Sequence, residues 1–259
     1  MVNLTLRWAE GFMEEHSEIS VQVTGGGSGT GIASLINGTS SIANISRELK
    51  QSEINYAKQN GVNPIQHIVA LDGIAVIVNP SNKIDAISFS LLKDIYSGKV
   101  KNWKTINGND ANIVLYGREN SSGTYEYFRQ SILGRNESGR QIDFPSNMQS
   151  LQGTASLAEA VSKDKNGIGF GGVGYFALRN DIKVLPISYN NSDKAIPPVI
   201  NNSINYDAIR NGSYPLSRFL YSYTNGIPKG EEKLYIDFIL SYKGQKIVES
   251  MEYIPLKKN

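Results

Sequence analysis

The stretch Gly25-Gly26-Gly27-Ser28-Gly29-Thr30-Gly31 decides how this chain is interpreted. Apolar and polar residues alternate before it, over residues 19–23, in the pattern of a β-strand. After it, the apolar residues among 32–36 have helical spacing, and Asn37-Gly38 is a helix stop signal. The stretch is therefore predicted to be a glycine loop that leads from a strand into a helix.

A second unit of the same design lies at residues 113–132. Residues 113–116 are predicted to form a strand, residues 117–124 a loop that contains Ser122-Gly123-Thr124, and residues 125–132 a helix. Further strands are predicted in 68–78, 167–176 and 219–223, and further helices in 4–12, 90–95, 157–161 and 234–242. Strands that alternate with helices in this way favour an α/β fold with largely parallel sheets.

Both loops place small polar residues where a strand gives way to a helix. The first N–H groups of a helix are unpaired and carry about half a positive charge from the helix dipole, so they attract anions. Ser28, Ser122 and Thr124 add hydroxyl donors. Arg118 precedes Ser122 closely enough to reach the same anion with a forked pair of hydrogen bonds. The loops therefore predict an anion site; the alternative is two ordinary turns with Ser or Thr helix caps.

The composition excludes several classes of protein. The 259 residues include 26 Lys and Arg and 24 Asp and Glu, so a formal charge of +2 leaves no strong field for nucleic acid. With no Cys and only 2 His, disulfides, thiolate chemistry, zinc-thiolate sites and histidine-rich metal centres are excluded, and no metal or cofactor is predicted. Apolar runs fall far short of the roughly 18 to 20 residues that a membrane span needs.

The glycine loops do not match the enzymatic motifs that they superficially resemble. No Lys follows Gly31, so the phosphate-binding lysine of a P-loop is missing, and Ile32 stands where a dinucleotide fingerprint has its last glycine. Thr30 occupies the place of the final glycine of a nucleophile elbow around Ser28. Neither histidine offers a base for a serine nucleophile. No catalytic residue is predicted, and the protein is predicted not to be an enzyme.

Two carboxylates near the loops have two interpretations each. Glu119 lies inside the second loop, and Glu48 follows the first helix. Both are either solvent-facing side chains or acceptors for the proton of a protonated oxyanion, a role that would distinguish phosphate from sulfate. The sequence leaves both interpretations open.

The chain carries a series of short motifs in one order: Trp8-Ala9-Glu10, Gly26-Gly27-Ser28-Gly29-Thr30-Gly31, Ile42-Ala43-Asn44-Ile45-Ser46-Arg47, Asp94-Ile95-Tyr96-Ser97-Gly98-Lys99, Arg118 with Ser122-Gly123-Thr124, Gly167-Ile168-Gly169-Phe170, and Tyr214-Pro215-Leu216-Ser217-Arg218. Over most of its length it thereby resembles the phosphate-binding proteins of bacterial and archaeal phosphate ABC transporters. The resemblance implies a two-lobed periplasmic-binding-protein fold of type II, with a ligand cleft between two α/β lobes. Residues 1–75 and 177–259 are predicted to form lobe 1, and residues 76–176 lobe 2.

The resemblance also implies a function. The expected activity is high-affinity binding of inorganic phosphate and its delivery to the transmembrane permease of a phosphate ABC transporter. The protein is then expected to be a monomer in the periplasm or outside the cell, where family members are often tethered to the membrane by a lipid. Two alternatives stay open: a binding protein for another oxyanion such as sulfate, including a scavenger or adhesion protein that reuses the fold, and a phosphate-ester hydrolase.

The resemblance makes Ser28 a phosphate ligand from the first lobe and Arg118, Ser122, Gly123 and Thr124 ligands from the second. The full candidate set adds their neighbours and the end of the third motif, and comprises Ser28, Gly29, Thr30, Ser46, Arg47, Arg118, Ser122, Gly123 and Thr124.

Two departures from the family pattern affect the site. The best-known members carry, in place of Arg47, an Asp that accepts the phosphate proton, while other members have Ser-Arg as here. Arg47 therefore predicts preferential binding of the phosphate dianion, unless Glu119 or Glu48 supplies the proton acceptor. Family members also usually open with a strand and a binding loop before the first helix, whereas Met1 lies almost at that helix. The chain is expected to lack that strand, part of one loop and the export signal, as a fragment, a trimmed form of the protein or a sequence with a misassigned start would.

Overall fold

The computed structural model describes residues 1–190 and 193–256. It divides the chain into two compact units. Unit 1 comprises Met1–Leu71, Ser121–Gly123 and Arg218–Asn259, and unit 2 comprises Asp72–Asn120 and Thr124–Ser217. Residues 257–259, at the end of the predicted lobe 1, lie outside the described residues. The predicted α/β class is confirmed, because each unit combines helices with paired strands.

The helices are, in chain order, α1 (Val2–Glu15), α2 (Ser28–Ile36), α3 (Gln51–Gln59), α4 (Phe89–Tyr96), α5 (Gly123–Phe128), α6 (Gly153–Lys163), α7 (Tyr206–Arg210), α8 (Gly230–Leu240) and α9 (Tyr242–Ser250). Short 3₁₀ helices lie at Trp103–Ile106 and Val173–Tyr175, and a π-helical turn, Arg129–Leu133, continues α5. Over the described part of the chain, no helix combines the length and the apolar character that crossing a membrane requires.

The strands are β1 (Ile42–Ile45), β2 (Pro64–Val78), β3 (Ile87–Ser88), β4 (Val114–Arg118), β5 (Gln149–Leu151), β6 (Gly167–Gly172), β7 (Lys183–Leu185), β8 (Ile187–Ser188), β9 (Val199–Ile200), β10 (Ser203–Ile204) and β11 (Ser217–Asn225). The long strand β2 contributes its first half to unit 1 and its second half to unit 2.

Unit 1 is built on β1, β11 and the first half of β2. Strands β1 and β11 pair antiparallel, with Ile45 opposite Tyr221, and β11 also lies beside β2. Helices α1, α8 and α9 share one buried cluster, in which the indole N–H of Trp8 donates to the carbonyl of Gly244 at 2.9 Å. Helices α2 and α3 share a second cluster with β1 and β11, through residues such as Ile32. This packing places the start of α2 beside the end of β1.

Unit 2 is built on the second half of β2 together with β4, β5, β6 and β7. Strand β6 pairs antiparallel with β2, and β4 lies parallel between β6 and β5. The rings of Phe128 and Phe170 stack in the core with their centroids 3.8 Å apart. Parallel pairing of β4 with β5 puts Arg118 opposite Leu151, just before α6 begins at Gly153. The end of β4 therefore lies beside the start of α6.

The predicted strand at residues 19–23 is wrong, because the segment belongs to no β-ladder among the described residues. Ile19 and Val21 are partly buried against the cluster of α1, α8 and α9, and the N–H of Val21 donates to the sulfur of Met13 at 3.4 Å. The alternation that looked like a strand comes from these two side chains anchoring an extended segment.

The predicted parallel character of the sheets is also wrong. Strand β1 with β11, β2 with β6, β2 with β7, and β9 with β10 are antiparallel, whereas β4 with β5, β4 with β6, and β3 with β8 are parallel. Alternating strands and helices do not fix strand direction when the strand that pairs comes from a distant part of the chain, as β11 does.

The predicted C-terminal helix over residues 234–242 is two helices. Ser241 separates α8 from α9 with φ −68° and ψ 168°, which is extended backbone, and its hydroxyl accepts the N–H of Gly244 at 3.2 Å. A serine that caps the following helix therefore ends the apolar pattern that runs through both.

The unit boundaries differ from the predicted lobes mainly in residues 177–217, which the structure assigns to unit 2. Strand β7 pairs with the second half of β2, and β8 pairs with β3. Tyr214 is buried, and its hydroxyl donates to the carbonyl of Ile74 at 2.8 Å. These residues complete the strand pairing and the core of unit 2, which the sequence pattern did not indicate.

Candidate functional site

The start of α2 and the segment Ser121–Gly123 lie against each other within unit 1. The N–H of Gly29 donates to the carbonyl of Ser121 at 3.3 Å. Gly27, just before α2, has φ 89°, and a Cβ there would lie 2.6 Å from the same carbonyl oxygen. Only glycine allows both that backbone conformation and that approach. The two loops singled out in the sequence are therefore neighbours.

Ser28, Ser46 and Gly123 meet at this contact, and we name them the serine–glycine cluster. The Oγ of Ser28 accepts the N–H of Ser46 at 3.1 Å and lies 3.3 Å from the Oγ of Ser46. An ideal Cβ on Gly123 would lie 2.3 Å from each of these two oxygens. Both serines are buried, with exposed fractions of 4 % and 7 %. The lack of a side chain at Gly123 therefore leaves room for both hydroxyls.

Two helices begin at the serine–glycine cluster. Helix α2 starts at Ser28, and α5, which continues as a π-helical turn, starts at Gly123. Their first N–H groups carry partial positive charge, and the two serine hydroxyls can rotate to donate. Buried neutral donors at helix starts suit an oxyanion, which needs many hydrogen bonds when it leaves water.

Arg118, at the end of β4 in unit 2, is held by three hydrogen bonds. Its Nε and Nη2 donate to the carboxylate of Glu119 at 3.0 and 2.9 Å, and its Nη1 donates to the Oγ1 of Thr154 at 3.0 Å. The Arg118 side chain is 15 % exposed. A guanidinium has five N–H donors. These bonds therefore fix Arg118 while leaving donors for a further acceptor.

Glu119 is the ionised partner of Arg118. Burial raises the pKa of its carboxyl, but the hydrogen bonds and charge of Arg118, together with the backbone N–H groups of Glu119 and Gly153, outweigh burial, and the pKa is lowered. A carboxylate engaged in this way is a poor acceptor for the proton of an oxyanion. The structure thus makes Glu119 the ion-pair partner of Arg118.

Arg47, a candidate ligand, forms an ion pair inside unit 1. Its Nη1 and Nη2 donate to the carboxylate of Glu53 at 2.8 and 2.7 Å, and its Nη1 also donates to the carbonyl of Glu48 at 2.8 Å. Burial alone would raise the pKa of the Glu53 carboxyl. The hydrogen bonds and charge of Arg47, together with the N–H of Lys50, outweigh burial, and the pKa is lowered. The charge of Arg47 is therefore balanced locally, while its neighbour Ser46 joins the serine–glycine cluster.

The remaining candidates occupy different positions. Thr30 is exposed, and its hydroxyl donates to the carbonyl of Gly26 at 2.8 Å. Gly29 uses its N–H on Ser121. Ser122 and Thr124 are buried at the start of α5. The structure groups Ser122 and Gly123 with unit 1, although the sequence assigned them to the second lobe, because Ser121–Gly123 packs against α2.

Sequence reasoning missed Thr154 and the pairing of Arg47 with Glu53. A signal for Thr154 existed, since Gly153-Thr154 opens α6 just as Gly123-Thr124 opens α5. Nothing in the sequence connects Thr154 with Arg118, however, because the two are 36 positions apart. Parallel pairing of β4 and β5 brings them together.

Replacing Gly123 with alanine should lower stability by about 1–3 kcal/mol, because the new Cβ would overlap both serine oxygens and lie 3.1 Å from the Cβ of Ser28, which cannot rotate away. Chemical denaturation gives the free energy of unfolding. The matched control is Gly29→Ala, where the nearest atom to the added Cβ is the Ser121 oxygen at 3.8 Å and helix propensity improves. Equal stability of the two variants would show that the cluster is not close-packed.

Comparisons with known proteins agree with an oxyanion site. A family model described as PBP superfamily domain matches residues 2–243. The phosphate-binding protein PstS of Pseudomonas aeruginosa is 30 % identical, and the alignment covers 99 % of this chain and 80 % of that protein. PstS of Bacillus subtilis is 32 % identical over 99 % of this chain and 78 % of its own length. Similarity extends to a crystal structure from Clostridium perfringens that is assigned as a putative phosphate ABC transporter substrate-binding protein with bound phosphate. It is 30 % identical to this chain with a TM-score of 0.80, and the match covers 99 % of this chain and 96 % of that one.

Proposed function

We propose, because this chain belongs to the family described as PBP superfamily domain, that it binds inorganic phosphate. It then delivers the phosphate to the permease of a phosphate ABC transporter. The observation that carries the proposal is the serine–glycine cluster, where two buried hydroxyls meet at the starts of two helices. Relatives that are 30 and 32 % identical to this chain are named phosphate-binding proteins, and a crystal structure that is 30 % identical holds phosphate. Both support phosphate over other oxyanions.

The relatives are binding proteins, and we extend that role to this chain in place of catalysis. Ser28, the serine of the first glycine loop, has the N–H and the hydroxyl of Ser46 as its hydrogen-bond partners among the described residues, so no base activates it. We place the protein in the periplasm or outside the cell, as a working partner of a membrane permease. A monomeric state and a lipid anchor stay predictions from the family resemblance.

We propose the phosphate ligands unit by unit. From unit 1 we propose the hydroxyls of Ser28, Ser46 and Ser122 and the N–H groups at the starts of α2 and α5, which include those of Thr30 and Gly123. From unit 2 we propose Thr124 and the free edge of the Arg118 guanidinium. Arg47 is left out, because its side chain is more buried than that of Arg118, 8 % against 15 % exposed, and its third bond ties it to the backbone carbonyl of Glu48.

Charge makes Arg118 the most consequential of these ligands. Removing a phosphate dianion from water costs much free energy, and neutral hydroxyls with helix dipoles offset only part of that cost. A guanidinium offers two short charge-assisted bonds in a fixed plane, which an ammonium group cannot reproduce. Glu119 and Thr154 hold Arg118 before any anion arrives. Little side-chain entropy is then lost on binding.

Arg118→Ala should weaken phosphate binding roughly a hundredfold or more, and Arg118→Lys roughly tenfold, because lysine keeps the charge but loses the fork. Calorimetric titration with phosphate measures both. Arg118→Ala also leaves Glu119 unpaired, so the combined variant Arg118→Ala, Glu119→Gln separates loss of the cation from exposure of a carboxylate. Arg135→Ala, which removes an exposed arginine of unit 2, is the matched control for net charge.

Phosphate affinity that survives in the combined Arg118 and Glu119 variant would remove Arg118 from the ligand set. The alternative, that Arg118 and Glu119 form only a stabilising pair, predicts that the Arg118 variants lose folding stability and keep their phosphate affinity.

Affinity for phosphate should rise between pH 6 and pH 8, as the dianion forms with a pKa of about 6 to 7 by analogy with phosphoesters. Glu53 and Glu119 have lowered pKa values, so they are ionised throughout this range and the rise follows the proton of phosphate itself. Sulfate, a dianion at every pH in the range, should compete measurably. Competition calorimetry at several pH values tests this. A flat profile with complete rejection of sulfate would show that a carboxylate reads the phosphate proton.

A further inference from the structure

Thr154 holds one edge of the Arg118 guanidinium in unit 2. The carboxylate of Glu119 accepts from Nε and Nη2 on one edge, and the hydroxyl of Thr154 accepts from Nη1 on another, at 3.0 Å. Glu119 by itself holds only one edge of the guanidinium. The additional contact to Thr154 fixes the plane and the direction of the guanidinium.

The hydroxyl of Thr154 is itself held rigidly. Thr154 is 7 % exposed and lies in the first turn of α6. Its Cγ2 occupies the space above Gly171 of β6, where a Cβ would lie only 2.4 Å from that methyl carbon. A β-branched side chain has few rotamers. Packing of the methyl group against β6 therefore sets the direction of the hydroxyl.

The backbone links the same turn to the end of β4. Arg118 pairs with Leu151 in the parallel ladder, and the N–H of Glu119 donates to the carbonyl of Leu151 at 3.2 Å. Gly153, with φ 77°, then turns the chain into α6 and directs its N–H toward the Glu119 carboxylate. The turn from β5 into α6, which includes Thr154, therefore contacts both Arg118 and Glu119.

We infer that Thr154 is a positioning residue for phosphate binding, which acts by holding the Arg118 guanidinium in the orientation that presents its remaining N–H groups to the anion. The inference rests on the proposed function. A hydroxyl suits this place because it is a neutral acceptor. Glu119 already balances the charge of Arg118, and a second carboxylate here would repel the phosphate that Arg118 has to attract.

Two substitutions separate the hydroxyl from the methyl group. Thr154→Val keeps the packing against Gly171 and removes the acceptor, whereas Thr154→Ser keeps the acceptor and removes the methyl group. We expect Thr154→Val to weaken phosphate binding at least about fivefold and Thr154→Ser to stay within about twofold of the parent. Thermal stability should fall for Thr154→Ser, because serine lacks the methyl group that packs against Gly171. A purely structural Thr154 would instead make the loss of affinity follow the loss of stability.

A double-mutant cycle with Arg118→Lys tests whether Thr154 acts through the guanidinium. Lysine has no second edge for Thr154 to hold, so Thr154→Val should change affinity less than about twofold in the Arg118→Lys background. Thr105→Val, which removes an exposed hydroxyl of unit 2 that donates to the carbonyl of Asn102, is the control. Calorimetric titration with inorganic phosphate and thermal unfolding are measured for every variant.

The inference is overturned if Thr154→Val binds phosphate like the parent, or if Thr154→Val loses as much affinity in the Arg118→Lys background as it does when Arg118 is present. If Thr154→Val does not fold, Thr154→Ala takes its place with the same expected loss. Failure of the parent protein to bind phosphate would instead reject the proposed function, and the parent titration reports that result separately.

Discussion

The candidate site depends on one close approach, that of the segment Ser121–Gly123 to the start of α2. It requires that Gly27 and Gly123 carry no Cβ, since either would collide with atoms across the contact. Because the approach is so close, the hydroxyls of Ser28 and Ser46 are buried beside the starts of two helices. A side chain at either glycine would separate the loops, and the two hydroxyls would no longer be buried together.

The two candidate arginines show how the surroundings of a guanidinium decide between a structural role and a role in binding. Arg47 and Arg118 each form a two-pronged ion pair with a glutamate. Arg47 donates a further bond to a backbone carbonyl and is 8 % exposed, so it ties Glu53 to the chain after β1. Arg118 makes its third bond to a hydroxyl at the start of α6 and is 15 % exposed. Pairing with a carboxylate thus does not by itself exclude a role in binding an anion.

The sequence was most informative where local rules suffice. Helical spacing after each glycine loop located α2 and α5, and the Ser and Gly residues at their starts proved to be neighbours. The strand predicted at residues 19–23 was wrong because alternating apolar residues indicate burial on one side of a segment. An unpaired segment can be buried on one side just as a strand is. The role of Arg47 depends on its contact with Glu53. The role of Thr154 depends on its contact with Arg118, which the parallel pairing of β4 and β5 brings close. No spacing rule encodes those contacts.

The most direct test of the account is a phosphate titration followed by ¹H–¹⁵N NMR on the assigned protein. The amide resonances of Ser28, Ser46 and Gly123 and the side-chain Nε–H resonance of Arg118 should shift together along one saturable curve and be complete at about one equivalent, as tight single-site binding requires. Saturable shifts that spare these four groups would contradict the account, because phosphate would then bind elsewhere on the protein.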